Sequence, residues 1–300
     1  MRVIITGGTG LIGRALSASL VADGYEVVLL SRDPSTAPET EAGARVVGWD
    51  ARTADGWLDL ADGACAIVNL AGASLRRFWT PRNKRLILES RLNVGRAVVD
   101  AVERAASQPG VVIQASGAGC YGPREDEIIT EDAEFDTGFL GRTAEAWEAS
   151  TAEVEGLGVR RAVIRTGVVL TMEGGAFPLL VLPFRLFVGG PLGSGDQWLP
   201  WIHLQDQVRA IRFLMETESA RGPFNLAAPN PVTNTRFSAL LGQVMHRPSF
   251  FRVPSFLIRV ALGEMSTVVL DGQRAVPRRV SELGFEFRFP ELKPALRDLL

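Results

Sequence analysis

Apolar runs and stretches of helical spacing alternate along the first half of the chain. Val3–Ile5 is a short apolar run of the kind found in strands buried on both faces. Behind it, Leu11, Ala15, Ala18 and Val21 recur on one stripe and predict a helix from about Leu11 to Ala22. Glu26–Ser31 predicts a second strand, Arg45–Trp49 a third that ends at Asp50, Cys65–Leu70 a fourth, and Val111–Ala115 a fifth that Ser116 closes. The stretch from Asp50 to Asp62 is loop-rich and uninformative. Thr80-Pro81 opens a long amphipathic helix to about Ala106, with Leu86, Leu92, Val94, Val98 and Val102 apolar, and Gln108-Pro109-Gly110 breaks it. A helix from Gly138 to about Glu155 and a strand from Val159 to Arg165 follow. This alternation predicts an α/β fold, a doubly wound parallel sheet with right-handed crossovers.

The character changes after Val169. Residues 174–200 are rich in glycine, proline and aromatics, and the longest apolar run, Phe177–Phe184, contains two prolines. A helix is expected near Asp206, a short strand at Phe224–Leu226, and a helix capped by Thr233-Asn234 that runs to His246. From Pro254 onward the chain reads as a small, mostly helical region.

The turn after the first strand carries chemistry. Gly8, Gly10 and Gly13 fit G-x-G-x-x-G, and Gly7, Gly10 and Gly13 fit T-G-x-x-G-x-x-G. One glycine permits the tight turn, one lets backbone approach a pyrophosphate, and one lets the helix pack against the strand. Thr9, Leu11 and Ile12 complete the turn and present the helix N-terminus to phosphate. In such sheets ligands bind beyond the carboxyl ends of the strands. Gly7–Gly13, Ser31-Arg32, Leu70–Gly72 and Ser116 all fall at that edge. A carboxylate at the end of the second strand accepts from the ribose 2′-hydroxyl of NAD; here a hydroxyl and a guanidinium stand instead, which suits a 2′-phosphate and points to NADP(H). The other reading leaves Arg32 as a solvated loop residue.

Composition narrows the function classes. The 300 residues are 46% hydrophobic, enough for a sizeable core, and the formal net charge of −2 gives no field to recruit nucleic acid or a membrane. Two cysteines, Cys65 and Cys120, and two histidines, His203 and His246, suggest neither a disulfide framework nor a metal site. The glycines cut off any signal-peptide core, and no apolar run is long enough to span a bilayer, so a cytoplasmic location is expected.

These residues also resemble a known group. The opening TGGTGLIG, Asn69–Gly72, Ser116 followed by Tyr121-Gly122, Trp201–His203 with Asp206, and Asn225-Leu226 are similar to the extended short-chain dehydrogenase/reductases. Ser90-Arg91, Trp147-Glu148, Arg165–Leu170, Leu192–Gly195 with Gln197, Gly263-Glu264, Gly272–Arg274 and Pro277 resemble its epimerase family branch, which carries a C-terminal domain of unknown function. The resemblance covers nearly the whole chain. It implies a Rossmann domain at 1–170, rejoined by segments at about 200–230, and a smaller, mostly helical substrate lobe at 171–300. It implies NADP(H) as cofactor, with Ser31, Arg32, Leu70, Ala71, Arg91 and Val169 among its contacts. It also implies a small-molecule substrate, in a monomer or homodimer.

One departure stands out. The family's Tyr-x-x-x-Lys pair is missing: the corresponding helix, Gly138–Ser150, holds neither residue, and the chain has only Tyr25 and Tyr121 as tyrosines. Ser116 remains, either to hydrogen-bond a substrate carbonyl or to satisfy a turn. Tyr121 either supplies a proton or packs beneath the cleft; Glu145 and Glu148 are either a buried acid or exposed helix residues; Arg142 either faces cofactor phosphate or is solvated. His203 reads as structural. Phe177, Trp198 and Trp201 line an apolar pocket or fill core, and Gln273 and Arg274 are candidates to reach the cleft. The expected activity is NADP(H)-dependent reduction of an unidentified small molecule. The alternative is a catalytically silent NADP(H)-binding sensor or scaffold, and a nucleotide-sugar epimerase is the least favoured.

Overall fold

The computed structural model describes residues 1–36 and 43–300. Seven parallel strands form its central sheet: β1 Arg2–Thr6, β2 Glu26–Ser31, β3 Ala44–Gly48, β4 Ala66–Asn69, β5 Val111–Gly117, β6 Arg160–Thr166 and β7 Gly222–Leu226. Their order across the sheet is β7-β6-β5-β4-β1-β2-β3. After β3 the chain returns to the other side of β1, so the order reverses between β1 and β4 and a crevice opens at their carboxyl ends. The segment Gly222–Leu226 rejoins the sheet as its edge strand, paired with β6.

Helix α1 (Leu11–Ala22) and α4 (Leu204–Glu216) cover one face, where Leu16, Leu20, Ile211 and Leu214 meet Ile5, Leu29 and Ile113. Helix α2 (Pro81–Arg104) covers the other, with Val98 and Val102 against Ile4, Val28 and Ile67. Helix α3 (Phe139–Ala149) follows β5 at the site end. Thr80 caps α2 by accepting from the Asn83 backbone N–H at 3.3 Å, and Pro81 occupies its first turn.

Three expectations need correction. In α1 the buried stripe is Gly13, Leu16, Ser17 and Leu20, while Leu11, Ala15, Ala18 and Val21 are half-buried. The helix is sandwiched between sheet and α4, and Gly13 must face the turn, which sets its rotation. In α2 Leu86 is exposed and Ile87 takes the inward position. The helix expected over 138–155 ends at Ala149 and resumes as Glu153–Gly156. There Gly95 of α2 approaches so closely that a Cβ would sit 1.9 Å from Ser150 Oγ. Within the loop-rich stretch 50–62, Leu58–Ala61 is helical, and Trp49 and Trp57 both donate to the Thr53 carbonyl, at 2.5 and 3.1 Å.

The rest of the chain builds a third core around Leu170, Phe177, Phe184, Trp201, Phe237, Leu241, Leu292 and Leu296. Asp206, fully buried in α4, ties this lobe to the sheet by accepting from the Arg288 and Phe289 backbone N–H groups at 2.9 and 2.8 Å. Among the described residues no helix is long and apolar enough to cross a membrane.

His203 starts α4. Its Nδ1 accepts from the Gln205 N–H at 3.1 Å, and Nε2 lies 3.2 Å from Asp298 Oδ2 without hydrogen-bond alignment. Burial pushes the imidazole below its ordinary value of 6.5, opposed by Asp298 and Asp206. The folded protein therefore holds it neutral, whereas the unfolded chain takes up a proton near 6.5. The associated stability is whole above that pH and drains as pH falls towards the depressed folded value. The melting temperature is expected to fall between pH 7 and pH 5, and His203→Asn, which keeps the cap without titrating, to flatten that part of the profile. An unchanged profile in the variant counts against the assignment.

Candidate functional site at the carboxyl edge of the sheet

The glycine turn is built for close approach. Gly7 has φ +68°, and a Cβ there would lie 2.9 Å from Ala71 Cα. A Cβ on Gly13 would lie 2.6 Å from Gly8 Cα, so only hydrogen lets α1 seat on the turn. Gly10 is exposed, and the only nearby atom a Cβ would meet is the Gly7 carbonyl oxygen at 3.2 Å, leaving its outer side open to a ligand. No side chain caps α1. The N–H groups of Leu11, Ile12 and Gly13 thus have no intrahelical acceptor, and Thr9 stands half-buried beside them. This cradle fits a dinucleotide pyrophosphate.

A buried polar chain locks the strand ends around it. Thr6 Oγ1 donates to Asn69 Oδ1 at 2.6 Å, Asn69 Nδ2 to Gln114 Oε1 at 2.8 Å, and Gln114 Nε2 to the Ala115 carbonyl at 2.7 Å. The Ala71 N–H donates to Thr6 Oγ1 at 3.3 Å, which places Leu70, Ala71 and Gly72 against the turn. Ser31 and Arg32 stand at the end of β2, Arg32 exposed and Ser31 Oγ accepting from the Asp33 N–H at 3.3 Å. These residues stand on the β2 side of the crevice and do not line its inner cavity.

That cavity, about 390 Å³, lies over β5 and the start of α3. Arg91 lines it, 7% exposed, packed so close to Gly72 that a Cβ there would lie 3.0 Å from the guanidinium carbon. Its Nη1 donates to the Ala73 and Ile87 carbonyls at 3.1 and 2.9 Å, and the guanidinium stacks on Trp147 at 4.6 Å. Burial lowers it to about 10. Val169 is half-buried and pairs with Ile202, beside Val168, which reaches the cavity. Ser116 is 6% exposed, and its Oγ has no hydrogen-bond partner among the described residues. Cys120 also lines the cavity as a free thiol pushed up to about 12, chiefly by burial, so it is no thiolate.

The alternatives for proton transfer resolve. Tyr121 is fully buried: its hydroxyl donates to Asn225 Oδ1 at 2.6 Å and accepts from Arg165 Nη1 at 3.1 Å. Burial raises the phenol well above its ordinary value, against the lowering effect of Arg165. It is a strut beneath the site. Glu148 is buried but paired, accepting from Arg165 Nε and Nη2 at 2.9 and 3.0 Å. Glu145 and Arg142 are exposed. Of the three aromatics considered for the pocket, Trp198 lines it, while Phe177 and Trp201 are fully buried in the third core.

Gln273 does reach the cavity; Arg274 instead stacks on Trp198 at 4.4 Å. Further polar lining residues were not anticipated: Thr143 on α3, Thr166 at the end of β6, and Thr267 and Asp271 in the C-terminal lobe. Burial raises the Asp271 carboxyl, with Arg259 lowering it and Asp136 raising it. The one signal that marks this stretch is the switch from apolar Val268–Leu270 to Asp271-Gly272-Gln273.

A model of the NAD dependent epimerase/dehydratase family matches residues 3–156, and a model of a domain of unknown function matches residues 253–299. An epimerase family protein of Staphylococcus haemolyticus is 40% identical over 300 residues, covering 99% of this chain and 98% of that one. The chloroplastic SDR39U1 homologue of Arabidopsis thaliana is 39% identical over 302 residues, covering 100% of this chain and 87% of that one. Among solved structures, human epimerase family protein SDR39U1 with NADPH superposes with a TM-score of 0.89 at 34% identity, covering 100% of this chain and 99% of that one.

Proposed function

The chain belongs to the NAD dependent epimerase/dehydratase family, and from that premise we propose that it binds NADP(H) and reduces a small carbonyl compound or activated double bond. The observation that carries this reading is Ser116: a buried hydroxyl with no partner among the described residues, on the wall of a cavity at the end of β5. Buried polar groups are almost always paired, so an orphan in a cavity marks the place of a ligand atom. The glycine cradle would hold the pyrophosphate, Ser31 and Arg32 the 2′-phosphate, and Arg91 the charge near the inner half of the cofactor. That the human relative was solved with NADPH supports the same choice.

Bound NADPH supplies the reducing equivalent. The chain's own part is to orient and polarise: Ser116 Oγ–H donates to the acceptor oxygen, and Leu140, Trp147 and Trp198 keep water from the reacting face. With Tyr121 locked, the proton for the product comes from solvent.

Fluorescence titration with NADPH and NADH tests the cofactor. Wild type is expected to prefer NADPH, and Arg32→Ala to lose about tenfold or more in NADPH affinity with little change for NADH, the worth of a charge-assisted hydrogen bond. Equal affinity for both nucleotides in wild type overturns the assignment. The locked Tyr121 favours a second reading, a silent NADP(H) sensor. NADPH binding without oxidation across a carbonyl panel, indifferent to Ser116→Ala, is the result that selects it.

A further inference from the structure

The cavity holds more unpaired polar groups than a simple ketone satisfies. Gln273 is nine-tenths buried, and its carboxamide makes no hydrogen bond among the described residues. Asp271, half-buried on the same wall, has a carboxylate without a hydrogen-bond donor among them. Both come from the part of the chain matched by the domain of unknown function. They are held rigidly. Gly272 lies against the Trp198 backbone, where a Cβ would sit 2.2 Å from the carbonyl oxygen, and its own carbonyl accepts from the Arg124 N–H at 3.1 Å. Arg274 pairs as strand with Ile128. Flanked by these anchors, the two side chains present a fixed surface rather than a floppy tail.

We propose that Gln273 is a substrate-binding residue and that the C-terminal lobe is the substrate-reading wall of the site, selecting neutral carbonyl compounds with a neighbouring hydroxyl on an apolar frame. The inference rests on the cofactor-binding reading above and names the substrate class for it. Ser116 Oγ–H and Gln273 Nε2 are donors and want a carbonyl oxygen. Gln273 Oε1 and the Asp271 carboxylate are acceptors and want a donor, which a hydroxyl supplies. Leu140, Trp147, Trp198 and Val268 bound the frame. A second carboxylate beside Asp271 is repelled, and Arg91, packed on Gly72 at the cofactor side, is committed elsewhere.

Two probes of similar size separate the possibilities: 2-hydroxyacetophenone, neutral with carbonyl and hydroxyl, and phenylglyoxylate, its oxo-acid counterpart. Binding to the full chain is measured by ligand-observed NMR with saturating NADP⁺. Wild type is expected to bind the hydroxyketone and reject the oxo acid. Gln273→Leu is expected to weaken the hydroxyketone about tenfold while NADPH affinity and melting temperature hold. Asp271→Asn is expected to admit the oxo acid. The proposal is overturned if wild type binds the oxo acid as well as the hydroxyketone, if it binds neither, or if Gln273→Leu leaves the hydroxyketone unchanged. Should wild type fail to bind NADPH, the cofactor reading falls instead, and the probes are scored on the free protein, where Gln273→Leu must still weaken binding.

Discussion

Glu148→Ala is expected to destabilise the protein by about 3–5 kcal/mol, the usual cost of leaving one partner of a buried ion pair alone. Arg165 is 5% exposed. Its Nε and Nη2 meet both Glu148 oxygens, and Nη1 donates to the Tyr121 hydroxyl and to the Glu131 carbonyl at 3.1 and 3.0 Å. Burial by itself lowers the guanidinium, yet Glu148 and Tyr121 together hold it above its ordinary value. Without Glu148 the charge has no counter-ion and no route to water. Urea denaturation reads the loss directly. The double variant Glu148→Leu with Arg165→Met removes both charges and is expected to recover much of it, because an apolar pair of similar volume does not carry the desolvation cost. A loss below about 1 kcal/mol in Glu148→Ala, the size typical of an exposed pair, would contradict the assignment.

Gly13→Val is expected to lower NADPH affinity by on the order of a hundredfold, about 2.7 kcal/mol. The reason is the 2.6 Å approach of a Cβ at this position to Gly8 Cα, with the Gly7 carbonyl oxygen at 2.7 Å. Both neighbours are backbone, so relief requires α1 to move off the turn, and its N-terminal N–H groups leave the phosphate with it. Gly156→Ala is the control: nothing lies within 4 Å of its Cβ position and the residue is far from the crevice in the fold. It is expected to leave nucleotide titrations unchanged. If Gly13→Val binds NADPH like wild type, the cradle is not where the cofactor sits.

The sheet was legible because parallel strands covered on both faces are almost continuous apolar runs, and each is followed by a turn or helix signal. The glycine turn was legible for a related reason: the close backbone approaches at Gly7 and Gly13 demand the absence of a side chain, which leaves a mark in the residue types themselves. Arg165 and Glu148 were less so. Both were noted, but their pairing depends on how β6 lies beside the helix after β5, and helical spacing alone left Glu148 open as an acid or an exposed side chain. Phe177 and Trp201 show the same limit, since an aromatic residue near a cleft gives no sign of which side of its backbone faces the core. Asp271 was missed outright. It lines the same cavity as Ser116 because Gly272 packs on Trp198, a contact between two segments with no shared pattern.

Asp271 and Gln273 follow β7 in the chain, and β7 itself follows β6 by way of α4 and the segment that gives Leu170, Phe177 and Phe184 to the third core. On the ribosome this orders events. The sheet's own domain is complete only once α4 and β7 have emerged, because α1 packs against α4 and domains fold as units. The segment with Asp271 and Gln273, which walls the cavity, follows the sheet in order of synthesis. The glycine turn and the sheet that carries it can thus be in place before the cavity has that wall, and a ribosome stalled between β7 and Asp271 would display the sheet with the cavity open on one side.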